Sequence, residues 1–159
     1  MHLLRLYKEA FSNLQRNIWI LSLSMFINRS GSMVLLFTSL YMTKELGFGI
    51  AQAGMIMSLY GIGSVIGAYL GGWLTDRMNY FLVMLWSLTG CAIVLLLMLV
   101  AKTPAAIGAI LFSYPLIGDM FRPANAAAIA AYSTPDNRTR SVSLVRLAVN
   151  LGFSVGPAI

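Results

Sequence analysis

Three ionisable residues sit inside runs that otherwise carry no charge. Arg29 stands in "INRSGSM", and Asp119 and Arg122 stand in "IGDMFRPAN". A charge at membrane depth costs at least about 2.5–3.5 kcal/mol, so it faces a water-filled cavity or a partner. Asp119 and Arg122 are three apart and share a helix face. Pro123 cannot donate to the carbonyl four residues back, which belongs to Asp119, and backbone freed in this way is tolerated in lipid where it lines a cavity. The chemistry this suggests is solute binding by Arg29 and Arg122 and proton carriage by Asp119, the one acid at membrane depth. A second reading is an ion pair, Arg29–Asp119, that holds two helices together and leaves Arg122 over. Arg146 is a weaker candidate. It can snorkel to the surface or bond Asn150 one turn on.

Catalysis has little to work with. There are no paired carboxylates, no His-rich ligand set and no activated Ser or Cys. The lone Cys91 lies in an apolar run and the lone His2 at the terminus, so neither a disulfide, a metal site nor a catalytic dyad is expected. No enzyme activity and no cofactor are expected, the proton being the coupling ion.

The elements that must position these residues follow from composition. Apolar residues make up 58% of the 159, and charged residues only 10%, against about 25% in a soluble domain. Between Arg16 and Lys44 the only charge is Arg29. None lies between Glu45 and Asp76, or between Arg77 and Lys102. A spanning helix needs roughly 20 apolar residues, so the gaps predict an all-α integral membrane protein. Five spans are expected, at about 17–42, 50–75, 79–101, 104–132 and 141–159, the last still apolar where the chain stops. Thr103 caps the fourth and Pro104 takes its first position. Residues 1–16 have helical apolar spacing with charges between, which suits an amphipathic helix in the membrane interface; a frayed terminus is the other reading.

The net charge of +6 is spread over the ends of the apolar runs rather than gathered in one segment. It reads as topology signal, not as a nucleic-acid surface. With the N-terminus inside, the inner segments hold Arg5, Lys8, Arg16, Arg77, Arg138 and Arg140, and the outer loops hold Lys44 and Lys102. That asymmetry puts the N-terminus in the cytoplasm.

Small residues mark where helices touch. Gly63, Gly67 and Gly71 repeat every four residues in the second span, and Gly152 and Gly156 do so in the fifth, followed by Pro157. Such spacing lets backbones approach closely in lipid. The third span has few polar residues and is expected on the lipid-facing outside.

"GGWLTDRMNYF" resembles the signature loop between helices 2 and 3 of the major facilitator superfamily. Gly72, Leu74, Thr75, Asp76 and Arg77 fit its first half. Asn79 stands where glycine is usual, and Tyr80 and Phe81 replace two bases. Asn tolerates a left-handed backbone, which would keep the turn. "NLGFSVGPAI" is similar to the antiporter motif of helix 5, through Gly152, Gly156 and Pro157. "TPDNRTRSVSLVR" looks like the loop before it.

The resemblance implies that residues 1–159 are the N-terminal transmembrane domain of a twelve-span transporter. They would be five helices of its six-helix N-terminal bundle, with the C-terminal half missing. It implies that helices 1 and 4 line a central cavity, bringing Arg29, Asp119 and Arg122 to one site. It also implies that the Asp76–Arg77 turn latches the cytoplasmic side when the transporter opens outward. Anchoring of helix ends in the headgroups is the other reading of that turn.

The expected function is secondary active transport of a small-molecule substrate across a bacterial-style inner membrane. Proton-coupled export by antiport comes first, and uptake of an anionic or zwitterionic solute such as a small peptide second. A membrane scaffold with no transport of its own is the reading from another class. The expected partners are the lipid bilayer, the substrate and the C-terminal half, with no nucleic acid.

Overall fold

The computed structural model describes residues 11, 14–31 and 34–156. They form helices and no strand: α1 (Arg16–Gly31), α2 (Val34–Lys44), α3 (Ile50–Arg77), α4 (Tyr80–Met98), α5 (Pro104–Gly118), α6 (Phe121–Tyr132) and α7 (Arg138–Val155). Among the described residues, three stretches are long and apolar enough to cross a membrane: α3, α4 and the course Pro104–Tyr132 through α5 and α6. The interfacial helix expected over 1–16 falls largely outside the described residues, and Pro157 wholly so.

The surface explains the class. Val65 and Tyr69 are each 73% exposed and Leu96 is 65% exposed. Large apolar side chains exposed in this way suit lipid and not water.

Three sequence expectations change, at the fourth span, the fifth helix and Asn79. Of the first span, expected as one helix over 17–42, α1 and α2 are described, and residues 32 and 33 lie outside the described set. In the last turn of α1 the Ser30 hydroxyl donates to the Phe26 carbonyl (3.0 Å). The fourth span is broken at Asp119–Met120, four and three residues before Pro123. The fifth helix starts at Arg138, earlier than the expected 141. Asn79 is not left-handed: at φ −64°, ψ 125° it is extended and caps α4, its side chain accepting from the Phe81 N–H (2.9 Å).

Two compact units are present: residues 1–33 with 126–159, and residues 34–125. In the first, α1 packs on α7. The buried residues of α1 are Ile18, Leu21, Ser22 and Met25, and those of α7 are Ser141, Leu144, Val145, Ala148 and Gly152. Both sets recur at three and four residues, which makes one face per helix.

In the second unit α3 packs on α5, and α5 also packs on α4. At one end Met42, Ala53, Ile56, Ala101, Ile107 and Leu111 form a core. Gly47, at φ 67°, turns the chain after α2 so that the Phe48 N–H reaches the Met42 carbonyl (2.9 Å). Thr103 caps α5 by accepting from the Ala106 N–H (3.3 Å), with Pro104 at the helix start. Farther along, Cys91 and Val94 of α4 pack with Tyr114 of α5.

Candidate functional site

The contact between α3 and α5 is made by backbone. Gly63, Gly67 and Gly71 are buried on α3. A Cβ at Gly63 would strike the Phe112 carbonyl oxygen. One at Gly67 would strike the Leu116 carbonyl oxygen, and one at Gly71 would strike the Met120 Cα. Three consecutive turns of α3 therefore lie against the main chain from Phe112 to Met120.

Beside this seam, the Ser64 hydroxyl donates to Asp119 Oδ2 at 2.5 Å. Asp119 is 8% exposed and ends α5. Its N–H donates to the Pro115 carbonyl (2.9 Å) and its carbonyl accepts from the Arg122 N–H (3.3 Å). The carbonyl that Pro123 was expected to leave free is thus taken one residue early, by a tighter turn.

That shift has a consequence for Gly118. In a continuous helix Arg122 would serve its carbonyl. Here the Ser87 hydroxyl of α4 donates to it at 3.3 Å and to the Ile117 carbonyl at 2.7 Å. One turn along α4, the Cys91 thiol donates to the Tyr114 carbonyl (3.6 Å). A Cβ at Gly118 would come 2.9 Å from the Cys91 sulfur, which explains why glycine stands there. The break is thus bordered by side chains from both neighbouring helices.

Arg122 is exposed, on the first turn of α6. Asn125, nearly a turn on, is 2% exposed, and its Oδ1 is buried with no hydrogen-bond partner among the described residues. Arg29 belongs to the other unit. Its guanidinium lies 5.9 Å from the Phe153 ring centre, and its Cβ lies 2.8 Å from where a Cβ on Gly152 would be, so α1 and α7 meet closely there. Gly156 caps α7, and Arg146 and Asn150 are exposed on it.

Asp76 and Arg77 form the last turn of α3 rather than a loop, and both are exposed. The Arg77 guanidinium stacks 4.0 Å from the Trp73 ring centre, one turn back. Gly72 has open space where a Cβ would be. A cleft of about 400 Å3, lined by Phe37, Thr38, Tyr41, Met98 and Leu99, contains none of the candidate residues.

Ser64, Ser87 and Asn125 escape the sequence reading. Ser64 carried a usable signal: it adjoins Gly63 in the packing stripe, where a polar side chain must face either the seam or lipid. Ser87 and Asn125 carried no comparable signal.

Residues 18–159 match the family model of the Major Facilitator Superfamily. No curated protein and no solved structure gives a match.

Proposed function

Because the chain belongs to the major facilitator superfamily, a family of secondary transporters, we propose that it moves a small solute by alternating access, with Asp119 carrying the coupling proton. The observation behind this reading is the Asp119 carboxyl itself. It is 8% exposed, within a course of helix apolar enough to span the bilayer, at the point where that helix breaks. Interrupted helices at membrane depth are where transporters hold ions and substrates. An acid kept there at an energetic cost is functional by default.

Export by antiport is the first reading, on the likeness of "NLGFSVGPAI" to the antiporter motif. A cationic solute would compete with the proton for Asp119. Arg122, exposed on the turn after the break, favours the second reading, uptake of an anionic or zwitterionic solute. Arg29 remains a candidate for substrate contact, and Asp76 and Arg77 remain candidates for the cytoplasmic latch. The protein would lie in a bacterial-style inner membrane with its N-terminus in the cytoplasm, and a C-terminal half would complete the binding site.

Counterflow in proteoliposomes of the full-length protein, with ethidium in one arm and a dipeptide in the other, separates export from uptake. In the arm that shows transport, Asp119→Asn abolishes accumulation driven by a pH gradient and spares exchange down a concentration gradient. Gradient-driven accumulation at the wild-type level in Asp119→Asn refutes the coupling role.

A further inference from the structure

We propose that Ser64 is a positioning residue for the Asp119 carboxyl, a role that deepens the reading of Asp119 as the coupling group. A serine inside a membrane helix has a ready acceptor in the carbonyl three or four residues back. Ser22, Ser24 and Ser30 of α1 use the carbonyl four back, and Ser58 of α3 uses the one three back, on Met55. Ser64 instead reaches a residue 55 positions away in the chain and bonds its Oδ2 at 2.5 Å.

The surroundings keep the hydroxyl in place. Gly63 on one side and Gly67 on the other press on the carbonyls of Phe112 and Leu116. Because main chain meets main chain there, the spacing of α3 from α5 does not depend on a flexible side chain. The backbone of Asp119 is held by its bonds to Pro115 and Arg122. What these leave open is rotation of the carboxyl about its own side-chain bonds, and the Ser64 bond restricts that rotation.

A hydroxyl also suits a carboxyl that changes charge. An ionised carboxylate only accepts, whereas a protonated one also donates. Ser64 can donate to the first and accept from the second. The contact can therefore persist through a proton cycle by reversing its direction. An alanine serves neither state, and a threonine serves both.

The test uses purified full-length protein in proteoliposomes at pH 7 and the apolar carboxyl reagent dicyclohexylcarbodiimide. Labelling of Asp119 is followed by peptide mass spectrometry, with Asp119→Asn as the blank. Loss of one buried hydrogen bond corresponds to a rate change of up to about tenfold. Ser64→Ala is expected to label up to about ten times faster than wild type, and Ser64→Thr at close to the wild-type rate. A wild-type rate in Ser64→Ala, or a rate in Ser64→Thr as fast as in Ser64→Ala, overturns the proposal. Where Ser64→Ala does not fold, the threonine variant decides: a wild-type rate supports the proposal and a raised rate overturns it. Labelling reads where the carboxyl is held, and Asp119→Asn transport reads whether it couples, so the two readings fail separately.

Discussion

Gly67→Ala adds one methyl group at the middle of the α3–α5 seam. The new Cβ would lie 2.7 Å from the Pro115 carbonyl oxygen and 2.9 Å from the Leu116 carbonyl carbon, whereas ordinary van der Waals contact begins at 3.4 Å. Both neighbours are backbone, so no rotamer change relieves the clash. The helices must part by the better part of an ångström, and Gly63 and Gly71 lose their contacts with them. Overpacking of this kind costs about 1–3 kcal/mol. The control lies on the same helix. Gly72→Ala meets nothing within 4 Å, and alanine gains up to about 1 kcal/mol over glycine in a helix interior. Thermal unfolding of the full-length protein in one detergent, followed by tryptophan fluorescence, should therefore move in opposite directions for the two variants. If Gly67→Ala is as stable as Gly72→Ala, the seam is not a main-chain contact and does not fix Ser64.

Two further outcomes follow from the same unit. Ser87 is 1% exposed, and its hydroxyl serves the Ile117 and Gly118 carbonyls; Ser87→Ala is expected to cost about 1–3 kcal/mol in the same unfolding measurement, while Ser143→Ala, exposed on α7, should stay near wild type. Asp76→Asn, at the exposed end of α3, should leave stability unchanged yet shift the inward–outward balance, read as maleimide labelling of single cysteines introduced on each side; an unchanged balance refutes the latch.

Much of the helical layout was legible from the gaps between charges. The ranges 50–75 and 79–101 lie within three residues of the ends of α3 and α4, because charges and turn formers cannot be buried in lipid and so mark helix ends. Thr103 and Pro104 announced the start of α5 through local chemistry alone. Pro123 signalled a disturbance near Asp119, but which amide would take the Asp119 carbonyl depends on how the chain tightens afterwards. The Ser64–Asp119 bond was out of reach. It joins residues 55 apart, and its existence depends on the register of two helices, which a difference of one residue along either would undo. Asn125 gave no sign in the sequence that its oxygen would be buried without a donor among the described residues.

The place of Ser64 along α3 makes that helix a lever. Asp76 lies twelve residues on, which at 1.5 Å per residue is an arm of about 18 Å. If α3 and the α5 backbone packed on it tilt together by about 10° around the level of Ser64, the Asp76 end swings by about 3 Å, enough to make or break a hydrogen bond. Ser64, at the fulcrum, hardly moves. With Asp76 as the latch, two jobs would be separated on one rigid rod: a contact that holds through the stroke near its middle, and a contact that exists for only part of the stroke at its tip.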